Sequence, residues 1–381
     1  MRRTRHRSLP FLVAAALLVS AFAPGGTLGS ARATVPAGGW IPRDPGTSRR
    51  PGGWQAVQWN FDGPFGVGAP RAWANLQRAG HPGGRGATVA VLDTGIAYRD
   101  HGPFRRSPDF GTQEFTRGYD FVDGDRSPDD ENGHGTHVAG TIGERTGNAI
   151  GVTGLAYGVK LMPVRVLDAT GAGDLAPIAA GIRYAVRHGA DVLNLSFDFP
   201  PSTAGVQLRP MLAALRYAHH RGALVVASAG NTGAAAVGYP ARAPHVVAVG
   251  AITEHGCVAS YSNRGAGLDI VAPGGGMDEP TPGDPRCDPG SAGRNIVQMT
   301  FGRSRRTFGL PSDWAGTSMA APHVSAAAAL VIASGVLGPH PAPDVVAARL
   351  EATARPLGPA LSYGAGLVDA AAATDPGDPR R

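Results

Sequence analysis

Ala87-Thr88-Val89-Ala90-Val91-Leu92-Asp93-Thr94-Gly95 is the stretch on which the fold turns. Its mostly apolar residues do not alternate with polar ones. That pattern predicts a strand buried on both faces, as parallel sheets require. The Asp and Gly that close it predict a loop at the carboxyl end of the strand, where open α/β sheets place their ligands. Asp93 can be read there as a turn residue or as a site carboxylate. Downstream the pattern alternates. Lys160–Leu167 reads as a strand and Leu175–His188 as a helix. Ala190–Phe197 is a strand, Val206–Arg221 a helix, and Ala223–Ala229 and Val246–Ile252 are strands. Short helices are expected over Arg71–Arg78 and Asp344–Ala354. The rhythm predicts an α/β fold, a three-layer α/β/α sandwich around a mainly parallel sheet.

A second stretch, Gly316-Thr317-Ser318-Met319-Ala320-Ala321-Pro322-His323, sets a serine among small residues ahead of an Ala-rich run from Ser325 to Ile332. It predicts a sharp turn into a buried helix with Ser318 at the N-terminus. The hydroxyl is expected to be exposed there, with free backbone N–H groups facing any oxyanion formed beside it. An ordinary N-cap gives the same local pattern. The Gly-x-Ser-x-Gly of α/β-hydrolases is absent, because Ala320 stands where the last Gly belongs. Between these stretches lies Asn132-Gly133-His134-Gly135-Thr136-His137-Val138-Ala139-Gly140, whose small residues start another helix. His134 and His137 lack the His-Glu-x-x-His spacing of zinc proteases, so a general base fits better than a metal ligand. A serine hydroxyl needs such a base, and the base needs a partner that fixes its tautomer. Ser318, His134 and Asp93 supply those three roles.

With 381 residues, 43% of them hydrophobic, the chain can bury one large core. The formal charge of +6 falls to +1 without the five arginines of residues 1–33. The body is therefore near neutral, and the high pI does not indicate nucleic-acid binding. Residues 1–33 read as a secretory signal. Four arginines precede an apolar run, Leu9 to Ala23, and Ala31-Arg32-Ala33 fits a small-x-small cleavage site. The run is short for a membrane span. Export without stable membrane association is expected. Cys257 and Cys287 fit one disulfide in an exported protein, or two unpaired thiols. Residues 34–53 read as a flexible Pro-, Gly- and Arg-rich leader, 273–315 as a long Gly/Pro-rich loop, and 374–381 as a polar tail. The loop-rich segment 97–133 crowds Asp120, Asp123, Asp125, Asp129, Asp130 and Glu131. It is either a solvated acidic loop or a site for a hard cation such as calcium.

Taken together, Val89–Gly95, Gly133–Gly140, Ser228-Ala229-Gly230-Asn231 and Gly316–His323 resemble the signatures of the subtilisin family of serine proteases, in that family's Asp, His, Ser order. The resemblance covers residues 54–373, the expected catalytic domain. It implies that Ser318 is the nucleophile, His134 the general base and acid, and Asp93 its orienting carboxylate. Asn231 would serve as the oxyanion side chain beside the Ser318 N–H. Substrate would add as a strand to the edges Leu195-Ser196-Phe197 and Ser228-Ala229-Gly230.

The sequence departs from the family at Asp198, where glycine is usual. Asp198 is either a solvent-facing carboxylate without effect or one that tilts selection toward cationic side chains a few residues before the scissile bond. Calcium is implied too. Asp120-Phe121-Val122-Asp123-Gly124-Asp125 is similar to a calcium loop of thermostable members, which singles out Asp120, Asp125 and Asp129. A partial match to a second site involves Asp109 and the loop Asn148-Ala149-Ile150-Gly151-Val152. The whole reads as an exported, calcium-stabilised, monomeric serine endopeptidase acting on polypeptides. A narrowly selective processing protease, an inactive peptide-binding scaffold and an esterase are the rival readings.

Overall fold

The computed structural model describes residues 41–47, 53–281, 284–288 and 290–380. The expected signal, 1–33, and most of the 34–53 leader lie outside the described residues.

Seven strands form one parallel sheet: β1 (Thr88–Asp93), β2 (Tyr119–Asp120), β3 (Lys160–Arg165), β4 (Val192–Leu195), β5 (Leu224–Ser228), β6 (Val246–Ile252) and β7 (Ile270–Pro273). Their order is β2-β3-β1-β4-β5-β6-β7. Strands β4 to β7 are buried at every residue, which is why they read as apolar runs and not as alternating ones. Strand β1 pairs with β3 on one side and β4 on the other, so the chain reverses direction across the sheet beside it. Such a switch point opens a crevice at the carboxyl ends of the two strands. Leu92 is in register with Leu195, so Asp93 and Ser196 leave the sheet side by side.

The helices are α1 (Trp54–Val57), α2 (Trp59–Asp62), α3 (Ala69–Arg78), α4 (His134–Gly143), α5 (Leu175–Arg187), α6 (Arg209–His220), α7 (Thr317–Ser334), α8 (Pro343–Thr353), α9 (Ala360–Tyr363) and α10 (Ala370–Ala373). Helices α5 and α6 pack on each other, as do α4 and α7, with the sheet between the two layers. The three-layer α/β/α architecture is the expected one. Helix α7 is buried from Thr317 to Val331 and touches β4 to β7. Among the described residues it alone is long and apolar enough to cross a membrane, and 83% of it is buried inside the protein.

Most departures from the expected elements lie at their ends. The helix expected from Val206 opens as a 3-10 turn, Gly205–Leu208, because Pro210 sits in the first turn of α6. Strand β7 went unread because four residues, Ile-Val-Ala-Pro, are too short a run to stand out. The 273–315 loop contains a small antiparallel pair, β8 (Thr300–Phe301) and β9 (Phe308–Gly309). Cys257 and Cys287 form a disulfide, tying this loop to the segment after β6. Closing a loop of that length stabilises the fold by about 3.6 kcal/mol on a chain-entropy estimate.

Contacts hold the chain near both ends of the described residues. Residues 41–47, within the expected flexible leader, are docked. The buried Asp44 carboxylate accepts the N–H groups of Gly147 (2.8 Å) and Asn148 (3.0 Å), and Trp54 Nε1 donates to Pro42 O. The C-terminal tail is held as well. The buried Arg349 guanidinium donates to the carbonyls of Ala372, Ala373 and Asp375, and reaches those of Asp378 and Arg380.

Candidate active site

Asp93 closes β1, and its Oδ1 accepts the Thr94 N–H and His134 Nδ1–H, each at 2.7 Å. His134 opens α4 directly after Gly133, whose φ of 104° suits glycine. Gly133 has no side chain to cap the helix, and Asp130 does that work instead. Its Oδ1 takes the N–H groups of Asn132 and Gly133, each at 2.9 Å. Its Oδ2 takes the N–H (3.0 Å) and hydroxyl (2.6 Å) of Thr136. The Thr94 hydroxyl donates to Asp130 (2.9 Å) and accepts from Gly135 N–H (3.0 Å), so the end of β1 and the start of α4 are locked together. A Cβ at Gly135 would collide with the Gly95 carbonyl. These contacts set the imidazole against the carboxylate. Burial alone would push the His134 pKa down, but the charge and hydrogen bond of Asp93, with the charge of Asp130, raise it above its ordinary value. With Nδ1–H given to Asp93, the neutral ring keeps its lone pair on Nε2.

Ser318 is the second residue of α7, which packs on α4. Its residue is 5% exposed, so the hydroxyl is less open than expected. It donates to the Ser196 carbonyl at 3.0 Å, and not to His134. In return Ser196 Oγ donates to the Ser318 carbonyl at 2.9 Å. That carbonyl needs an outside donor, because Pro322 stands four residues on and has no N–H. Ser196 Oγ accepts from Asn194 Nδ2, and Asn194 Oδ1 accepts from Ser325, both buried. Asn231 lies opposite. Its Oδ1 accepts from Thr317 N–H (2.8 Å) and Thr317 Oγ1 (2.9 Å). A backbone N–H can only donate, so the oxygen must face Thr317 and the amide nitrogen is presented on the other side.

The expected substrate edges run side by side. Ser228 Oγ donates to the Phe197 carbonyl at 3.2 Å. The side chains of Ser196, Phe197, Ser228 and Ala229 are fully buried, so these residues offer a ligand backbone only. Gly230 has a φ of 106°, and a Cβ there would collide with Asn263 Nδ2. Asp198 is 8% exposed, so its carboxylate is largely but not wholly withdrawn from solvent.

The two expected cation sites differ. Asp120 pairs with Arg165 at 2.7 Å, Asp125 accepts the Ser127 N–H, and Asp129 pairs with His101 at 3.0 Å and Arg99 at 3.4 Å. Each carboxylate is already engaged by a different protein group, and the three do not converge on one point. In this arrangement Arg165, 45 residues beyond Asp120 in β3, supplies the cation that Asp120 meets. Asp109 and Asn148, by contrast, are brought together. Asn148 Nδ2 donates to Asp109 Oδ1 at 3.0 Å, and Val152 N–H donates to Oδ2 at 2.8 Å. Burial, with the charge of Asp44, pushes the Asp109 carboxyl up to about 7. Glu144 is raised by burial and by the charges of Asp109 and Asp44, and its Oε2 is buried without a partner. No cationic side chain among the described residues pairs with Asp44, Asp109 or Glu144. A cation there would offset this charge, although these three carboxylates do not converge on one point either.

Three residues of the site escaped the sequence reading. Asp130 was visible only as one carboxylate in an acidic crowd; its position three residues before the Gly-His start of a helix was the available signal. Thr317 carries no pattern of its own. Trp314 stacks on His137 with ring centroids 4.9 Å apart and lies 5.8 Å from His134. His137 Nε2 donates to the Ile296 carbonyl, and burial holds its pKa down to about 3, so the ring is neutral.

The site joins a serine at a helix start, an imidazole–carboxylate pair and an amide N–H donor at the switch point of a parallel sheet. The model of the subtilase family matches residues 84–366. Subtilisin Savinase of Lederbergia lenta is 40% identical over 291 residues, 76% of this chain and 91% of that protein. The alkaline protease of Alkalihalobacillus alcalophilus is 40% identical over the same length, but the match spans only 65% of it. The thermostable alkaline protease of Halalkalibacterium halodurans is 36% identical over 313 residues, 82% of this chain and 73% of that one. Among solved structures, a protease from Pseudoalteromonas arctica PAMC 21717 superposes with a TM-score of 0.69 at 30% identity, covering 87% of this chain and 98% of that one. The chain belongs to the subtilase family and is a serine-type endopeptidase.

Proposed function

We propose that this chain is a secreted endopeptidase that cleaves polypeptides through Asp93, His134 and Ser318. The observation that carries the reading is the 2.7 Å bond from His134 Nδ1–H to Asp93 Oδ1, which leaves Nε2 as the base, on a helix packed against the one that carries Ser318. The Ser318 hydroxyl rotates from the Ser196 carbonyl toward His134. Nε2 takes the proton as Oγ bonds to the substrate carbonyl carbon. The developing oxyanion is met by Asn231 Nδ2 and the Ser318 N–H at the start of α7. His134 then gives the proton to the departing amine as the C–N bond breaks. Water, deprotonated by His134, releases the acyl group, and Ser318 regains its proton. Asp93 holds the ring's tautomer and stabilises the imidazolium without taking the proton.

Export rests on the signal-like residues 1–33 and on a disulfide, which persists in oxidising compartments. Calcium is proposed as a structural ion held by Asp109 and Asn148, the amide turning its oxygen inward. The chemistry needs no metal. The test is hydrolysis of casein by the purified chain and by Ser318→Ala. Activity in the first and none in a folded second is expected; undiminished hydrolysis by Ser318→Ala would overturn the assignment.

A further inference from the structure

Asp198 follows β4 at the mouth of the crevice, and its carboxylate has no hydrogen-bond or ion-pair partner among the described residues. Asn263, which also borders Gly230, is already engaged. Asn263 Nδ2 donates to Ala229 O at 3.0 Å, and Asn263 Oδ1 takes the N–H groups of Thr232 and Ala234 and the Thr232 hydroxyl. A buried carboxylate without a counter-charge is costly to maintain. Burial is the one cause acting on it and raises its pKa to about 6, so it is still ionised at neutral pH.

Neither carboxylate oxygen is fully enclosed, so both still meet solvent although the residue is 8% exposed. A Cβ placed on Gly230 would lie 3.0 Å from Asp198 Oδ2, and one placed on Gly238 would lie 3.5 Å from Asp198 Cβ. Asp198 is thus bordered by two glycines, neither of which has a side chain to pair with it. Gly230 immediately precedes Asn231, and its N–H donates to Thr317 Oγ1 at 3.2 Å, one residue from Ser318. The carboxylate therefore borders the residue that precedes the oxyanion donor Asn231, which meets the attacked carbonyl. The side chain nearest that carbonyl is the one on the same substrate residue.

We propose that Asp198 is a specificity residue that selects lysine or arginine at the substrate position whose carbonyl Ser318 attacks. The inference rests on Ser318 and Asn231 marking the reaction centre. The substrate's ammonium or guanidinium supplies the counter-charge that the protein withholds. An apolar side chain in the same space leaves the carboxylate buried and unpaired, and an acidic one adds repulsion.

The test uses peptide p-nitroanilides that differ only in the last residue: Arg, Lys, Leu, Phe or Glu. Active sites of the purified chain are counted with a serine-reactive fluorophosphonate. The expected result is a kcat/KM for Arg and Lys at least about tenfold above Leu and Phe, with Glu lowest, because discrimination is steep where a buried polar group would be left unpaired. In Asp198→Asn the Arg-to-Leu ratio falls toward one as Leu and Phe gain. Asp198→Gly repeats the measurement should the first variant fold poorly. A preference for Leu or Phe, or a cationic preference that survives both substitutions, overturns the proposal. If no peptide is cleaved and no fluorophosphonate binds, the reading of Ser318 as nucleophile has failed, and the selectivity falls with it.

Discussion

Ser196 and Ser318 exchange two hydrogen bonds, each hydroxyl donating to the other's carbonyl, at 2.9 and 3.0 Å. The bond to the Ser318 carbonyl repairs the gap that Pro322 leaves in α7. The bond from the Ser318 hydroxyl is the one that must break for chemistry. Ser196→Ala leaves the Ser318 carbonyl buried without a donor, which costs about 1–3 kcal/mol of stability. Urea unfolding in a Ser318→Ala background, where self-digestion is absent, measures this cost. An unchanged midpoint would mean that water replaces the hydroxyl. In the active enzyme, kcat should fall more than KM rises, because the start of α7 aims both Oγ and the N–H of Ser318.

Asn231 is held from behind by Thr317, so its amide nitrogen is fixed before substrate arrives. Asn231→Ala should lower kcat by about 10²–10³ and leave KM within about twofold, the range for removing one oxyanion donor, drawn in part from a member of this same family. Thr317→Val, which removes one of the two anchors of Asn231 Oδ1, should give a smaller loss in the same direction. A large rise in KM with kcat preserved would place Asn231 in substrate binding instead.

The pH profile follows from His134. The base must be neutral, and its raised pKa means that it sheds its proton later than an ordinary histidine. The kcat/KM should rise with pH to a plateau, with a midpoint above the ordinary value of 6.5. Asp93→Asn removes the charge that raises the pKa, so the midpoint should move down. The plateau should fall by a factor on the order of 10⁴ as the tautomer is lost. A midpoint that stays in place after Asp93→Asn would show that Asp130 sets it.

Much of this arrangement is legible in the amino-acid sequence. Asp93, His134, Ser318 and Asn231 each sit beside glycine or other small residues at the end of a strand or start of a helix, and such punctuation is local and readable. The central strands stand out because burial on both faces makes them continuously apolar. What the sequence hides depends on distant partners. Arg165 neutralises the acidic loop from another strand, and Asp44 caps a turn about 100 residues away. No spacing rule reports such contacts.

The last prediction separates the two candidate cation sites. Asp120 already has Arg165, so an added cation gains little there. Asp109 is buried beside Asn148, with the charge of Asp44 acting on it and no cation of the protein's own among the described residues. An ion at about a hundred times its dissociation constant stabilises the folded state by about 2.7 kcal/mol. For a domain of this size that is on the order of 5 °C in Tm. Melting of the Ser318→Ala chain in calcium and in EDTA should differ by about that amount. Asp109→Asn should abolish the difference, because the asparagine no longer brings the charge that the ion offsets, and Asp120→Asn should preserve it. If Asp120→Asn removes the calcium effect and Asp109→Asn does not, the acidic loop is the site after all, and Arg165 must swing away to admit the ion. If EDTA leaves Tm unchanged, the carboxylates around Asp109 are carried without a metal, sharing protons at neutral pH.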